Sequence, residues 1–374
     1  MRQIGIRRYI CGRNIIIVCV MLFATASQAA EGIVLNGFAS FYGRQSLTDI
    51  YDTGNNGYDL DFSNNTRVGL NMRSELSNDF AFVGQIVAAQ RLTYESPKWA
   101  TEFDWMFLNY SLRDDVTIRF GRQLNPGSII GEYIDIGLTY PWRRLPLPFQ
   151  FMVQFKSFEG LSANYSKEIG RYALDILGYG GNSRPFESNV PHYSYEIKDL
   201  QGIRIKLEGE NWQIFTVGAD FKYFGYQPSF TFGVPPSKVD SGASSRLTNL
   251  GGHFDNGKIL VYTEYSNLEC AGTGDPVCSG WAHYETIGYH FSNWLPHYTY
   301  SKGFFQEVVP FAPASVSGPN NMVSHIAGLN YQVNPSLVAK TEFIWQENDG
   351  GTGTLFMNGA GIARSYSFGV DLVF

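Results

Sequence analysis

From Ile33 onward the chain repeats one pattern: segments of about ten residues in which apolar and polar positions alternate. Between Ile33 and Gly43, Leu35, Ala39 and Phe41 oppose Asn36, Ser40 and Tyr42; from Asn65 to Glu75, Val68, Leu70 and Met72 oppose Arg67, Asn71 and Arg73. A period of two is that of a β-strand with two unlike faces. Further segments of this kind fall near 80–90, 101–112, 115–123, 157–166, 171–179, 200–208, 211–223, 246–255, 258–266, 281–291, 294–302, 321–332, 336–346 and 364–374. That gives about sixteen strands, and no stretch shows a helical period.

The connections separate the possible all-β folds. Every second one is tight and built from turn formers: Ser77-Asn-Asp79, Arg113-Asp114, Glu168-Ile-Gly170, Gly209-Glu-Asn211, Asp255-Asn-Gly257, Ser292-Asn293 and Val333-Asn-Pro335. The intervening ones, such as Ser46–Asn64, Gly180–Asp199, Gln227–Ser245 and Asn348–Gly361, are long and polar. Short turns at one rim and long loops at the other predict a transmembrane antiparallel β-barrel. Strands of about 9–11 residues, tilted about 45°, cross a bilayer, and closure pairs every backbone group in hydrocarbon. A wet interior explains a chain with 17% charged residues and a mean hydropathy of −0.16.

The amino terminus predicts export. Arg2, Arg7, Arg8 and Arg13 precede the apolar run Ile15–Ala24, and Ser27 and Ala29 are placed for cleavage before Ala30. Residues 1–29 are read as a signal peptide and 30–374 as the barrel. Without those arginines, 24 of the 28 basic residues remain against 34 acidic ones, a net charge of about −10, which argues against a nucleic-acid partner. Cys270 and Cys278 flank a short turn in an exported chain and are expected to form a disulfide, contributing roughly 2–3 kcal/mol. No histidine stands beside them, so a metal pair is disfavoured.

The signal peptide, the alternation of eight long and seven short connections, the terminal strand ending at Phe374 and the segment Arg119-Phe-Gly-Arg-Gln123 resemble the sixteen-stranded porins of Gram-negative bacteria. The resemblance implies a homotrimer in outer-membrane lipid, barrel-assembly machinery that reads the strand ending at Phe374, and diffusion of small hydrophilic solutes through each monomer. It also implies that the third long connection, 124–156, folds into the lumen. There Glu132 and Asp135 would face wall arginines drawn from Arg67, Arg73 and Arg119, with Arg44 and Arg122 as further candidates. An arginine facing mid-bilayer lipid costs about 2–4 kcal/mol, so Arg67, Arg73, Arg119 and Arg204 are expected to point inward. Glu75, Asp175, Asp220, Glu264 and Glu342 are candidate lumen acids. The Pro-Glu-Phe-Gly-Gly stretch of enterobacterial constriction loops is missing, and Arg143 and Arg144 are added.

Other functions fit less well. His192-Tyr-Ser194 has the spacing of lipid-hydrolysing barrels, but a two-residue match is weak and no enzyme is expected. The loop from Asp52 to Asp61 is rich in oxygen ligands, but Ser63 stands where an EF-hand needs glutamate, so neither metal nor cofactor is expected. An adhesion barrel without a channel normally has fewer strands. A channel selective for anions such as phosphate or dicarboxylates is the nearer alternative; the mixed lumen charges favour a general diffusion pore.

Overall fold

The computed structural model describes residues 32–48, 60–62, 66–91, 98–150, 152, 155–183, 186–187, 194–227, 237–238, 242–271, 279–305, 320–349 and 361–374. The signal segment, the Asp52–Asp59 stretch, His192 and Cys278 lie outside them. Sixteen long strands form the wall: β1 Ile33–Ser46, β2 Arg67–Glu75, β3 Phe80–Arg91, β4 Lys98–Arg113, β5 Val116–Leu124, β6 Ser157–Ile169, β7 Tyr172–Asn182 and β8 Ser194–Glu208. They continue as β9 Trp212–Gln227, β10 Ala243–Asp255, β11 Ile259–Ala271, β12 Gly280–Tyr289, β13 Trp294–Phe305, β14 Asn320–Asn334, β15 Leu337–Asp349 and β16 Gly361–Val373. Two-residue strands at Phe186–Glu187 and Ser237–Lys238 extend the sheet at loops.

Each long strand pairs antiparallel with its neighbours, and β1 pairs with β16 from Phe38↔Val373 to Ser46↔Ser365, so the sheet closes. This is the transmembrane barrel the alternation predicts. The strands run a few residues further than predicted, mostly at their long-loop ends. The tight turns form as expected. At Asn256, for example, the side-chain oxygen accepts the N–H groups of Lys258 and Ile259 at 3.0 and 2.8 Å.

The two faces obey the period. Along β12, Gly280, Ala282, Tyr284, Thr286 and Gly288 are buried toward the inside, while Ile287 and Tyr289 are exposed outward. Phe41, Phe103, Leu108, Phe120, Leu161, Ile203 and Leu250 likewise face out, an apolar exterior suited to hydrocarbon. Phe374 closes the seam. Its N–H and C=O exchange hydrogen bonds with Gly37 at 2.9 and 2.7 Å, and its ring lies where a Cβ on residue 37 would sit, 2.3 Å away. A side chain there would displace the ring.

Candidate functional site

The third long connection turns into the barrel, where two wall groups pin it from opposite sides. Lys340 on β15 donates to the carbonyls of Gly137, Tyr140 and Trp142 at 2.6, 2.7 and 3.1 Å. Its ammonium also lies 3.0 Å from Asp371 on β16, which accepts from Ser40 and Tyr42 at 2.6 Å each. The loop approaches this acid so closely that a Cβ on Gly137 would stand 2.2 Å from it. From β11, Glu264 accepts the Ile129 N–H at 2.5 Å and the Ser128 hydroxyl at 3.1 Å. One cation thus gathers loop carbonyls and one carboxylate gathers loop donors.

Between these anchors the apolar loop residues find the packing their sequence demands. Ile129, Ile130, Trp142, Leu145, Leu147, Phe149 and Phe155 join wall residues of β7 to β16 in one buried cluster. Trp142 is its centre: its ring meets Tyr262 and Tyr284 edge-on at 5.0 and 5.2 Å, and its N–H reaches Thr299 at 2.8 Å and Thr286 at 3.1 Å. The lumen at this level is therefore divided. Against β9–β15 it is filled by the apolar cluster; against β2–β5 and β8 it is lined by charge.

On the charged side, Arg204 and Arg119 approach Glu132 at 3.1 and 3.5 Å, and Arg67 lies 3.6 Å from Asp135. Arg67 also donates to the Tyr140 hydroxyl at 2.8 Å, and Arg119 lies 5.4 Å above the Phe107 ring. Lys156, near the loop's end, bridges Asp104 and Asp135 at 2.6 and 2.7 Å. Burial raises the affinity of Glu132 for a proton, but Arg204 and then Arg119 outweigh it and hold the carboxyl below the usual range. For Asp135, burial is likewise outweighed by Lys156 and Arg67. A carboxylate with a depressed folded pKa stabilises the fold above its unfolded value, about 4, and loses that contribution as pH falls through the folded value. Ion preference set by these acids should therefore persist as pH falls from 7 through about 4, the ordinary carboxylate range, and be lost only at lower pH, as reversal potentials in a salt gradient would report.

Of the predicted wall arginines, Arg67 and Arg119 meet the loop acids by direct contact. Arg73 pairs with Glu75 at 2.6 Å and is half-exposed, away from the loop. Arg44 is buried on the inner face of β1, beside Ser367 rather than beside Glu132 or Asp135. Arg122 alternates with Arg119 and Gln123 onto the outer face, where it pairs with Glu159 at 3.5 Å. Asp220 also faces outward, bound to Arg246 at 2.7 Å, because Ala219 and Phe221 take the inner positions. Glu264 and Glu342 do face the interior. Cys270 is disulfide-bonded.

The sequence reading missed Asp104, Lys156 and Lys340. Asp104 is turned inward by a bulge: Gln85 pairs with Trp105 and Ile86 with Phe103, leaving Asp104 unpaired. A strict period counted from Leu108 and Met106 would have put it in lipid. Lys340 carried a usable signal, since Val338, Lys340 and Glu342 share one face against Ala339, Thr341 and Phe343.

No family model and no curated protein sequence matches the chain. Solved structures do. A loop L8 deletion mutant of OmpT, an outer membrane protein of Vibrio cholerae, superimposes with a TM-score of 0.60 at 12% identity, covering 91% of this chain and 99% of that one. The outer membrane channel DcaP of Acinetobacter baumannii gives 0.59 at 12% identity over 91% and 97%. An anion-selective porin from Comamonas acidovorans gives 0.57 at 9% over 91% and 99%. The chain has the fold of the sixteen-stranded outer-membrane porins. At these identities the likeness is one of fold.

Proposed function

We propose that the protein is an outer-membrane porin, a non-catalytic channel for passive diffusion of small hydrophilic solutes and ions. The observation that carries this reading is the charged side of the divided lumen, where Glu132 and Asp135 on the loop meet Arg67, Arg119 and Arg204 on the wall. Charges fixed around a narrow aqueous path select ions by field as well as by size. In this reading residues 1–29 are removed on export, the barrel assembles as a homotrimer, and the strand ending at Phe374 is the segment the assembly machinery reads.

Planar-bilayer recording tests it. Purified, folded protein should give discrete conductance steps; a silent bilayer would sink the pore reading. Replacing Glu132 and Asp135 by lysine should then move the reversal potential toward anion preference. A shift of opposite sign, or none, would remove the loop acids from the conducting path.

A substrate-selective channel is the second reading, favoured by the buried cluster that fills the side of the lumen around Trp142. The cross-section left for passage is smaller than the strand number suggests. Liposome swelling distinguishes the two: a general pore admits neutral sugars in order of size, whereas a selective one admits one charge class and excludes sugars of equal size.

A further inference from the structure

On the outer wall, one region breaks the apolar pattern far from either rim. The outward residues of β12 are Trp281, His283, Glu285, Ile287 and Tyr289. Trp281 and Tyr289 stand at the two girdle levels, separated along a tilted strand by about 20 Å of depth. Glu285 lies midway between them, with its side chain 53% exposed and turned away from the lumen. The outward pairs Arg122–Glu159 and Asp220–Arg246 lie nearer the long loops: Arg122 is two residues from the end of β5 and Arg246 three from the start of β10. The outward positions of β4 to β8 otherwise present side chains such as Met106, Leu108, Phe120, Leu161 and Ile203.

The polar patch around Glu285 spans three strands. Tyr300 on β13 stands opposite Glu285, Lys302 stands opposite His283, and His325 on β14 stands opposite Tyr300. His283 Nδ1 lies 2.8 Å from Glu285 Oε1, and the Tyr298 hydroxyl lies 2.6 Å from His325 Nδ1. Each of these contacts uses one polar atom of a group that has two. Glu285 Oε2, His325 Nε2, the Tyr300 hydroxyl and the Lys302 ammonium have no partner among the described residues. Hydrocarbon supplies none, so lipid against this face would leave acceptor and donors unmet. Lipid headgroups lie about 10 Å from Glu285 along the membrane normal and do not reach it.

The patch is complementary to itself. Its β12 edge offers a carboxylate oxygen, and its β13–β14 edge offers an ammonium and an imidazole nitrogen. In a closed ring of identical subunits unlike edges meet, so the acceptor edge of one copy faces the donor edge of the next. We propose that the outer face of β12–β14 is the contact between copies of this chain, Glu285 of one subunit pairing with Lys302 and His325 of its neighbour. This inference rests on the homotrimer proposed above and assigns it a face.

The test uses the full barrel in lipid vesicles, with native mass spectrometry reporting subunit number and cysteine oxidation reporting the face. In a Glu285→Cys, His325→Cys double variant the two cysteines of one barrel are two strands, about 10 Å, apart and cannot bridge each other. Oxidation should therefore link subunits and give a covalent trimer on a denaturing gel. Phe120→Cys with Ile203→Cys, on the apolar wall, should give none. Glu285→Leu, a single change toward an apolar surface, should weaken association about tenfold. A trimer by mass without a link between positions 285 and 325 would overturn the assigned face and leave the trimer standing. A monomer by mass would overturn both. A Glu285→Leu barrel with unchanged association and a higher unfolding midpoint would give the face to lipid and end the proposal.

Discussion

Replacing Lys340 by methionine should release the third loop and destabilise the barrel by about 3–5 kcal/mol, the range for removing one partner from a buried ion pair. The methionine fills much of the same space, so the loss is electrostatic. Asp371 would remain buried without its closest cation, keeping the hydrogen bonds from Ser40 and Tyr42, and the carbonyls of Gly137, Tyr140 and Trp142 would lose their shared donor. Glu264 and the Glu132 and Asp135 ion pairs would still hold the first half of the loop, so its second half should move. Expected results are a lower denaturant midpoint, new protease cleavage between residues 137 and 147, and larger, noisier conductance steps. Glu264→Gln is the matched control. Its amide oxygen can still accept from Ile129, so it should cost much less. Equal stability for wild type and Lys340→Met would show that the ammonium is not what holds the loop.

This dependence on Lys340 also shows where sequence reasoning stopped. The barrel was legible because closure is repetitive: each strand repeats the period, each turn repeats its chemistry, and one misplaced strand end leaves the count unchanged. Arg67 and Arg119 were legible for a related reason, since polar positions on regular strands must point inward; the loop acids Glu132 and Asp135 were reached only through the resemblance to porins. Arg122 and Asp220 show the weakness of that rule. Both are charged, yet the local period places them outside, where Glu159 and Arg246 pair with them. Asp104 fails in the other direction, because a single bulged residue reverses the face. The choice of wall group for each loop atom depends on how a segment of some thirty residues crosses the lumen, and no local pattern encodes that path.

Trp142→Ala should have a comparable energetic effect by a different physical route. The tryptophan is fully buried at the centre of the dry half, and truncating a large buried aromatic typically costs about 3–5 kcal/mol, through lost burial and the cavity left behind. Two further terms act in the same direction. Thr299 and Thr286 lose the indole N–H, although they still hydrogen-bond each other at 2.7 Å, and Tyr262 and Tyr284 lose the ring that orders their edge-on packing. Because the cavity would open inside a barrel that is wet on its other side, water should enter and join the two halves of the lumen. Trp142→Ala is thus expected to lower the unfolding midpoint and to raise conductance with little change in ion preference, since Glu132, Asp135 and their arginines stay in place. Trp142→Phe retains the ring and loses only the N–H, so it should recover most of the stability and the wild-type conductance. If the alanine variant conducted like the wild type despite its lower stability, the dry cluster would be support for the loop and no part of the boundary of the pore.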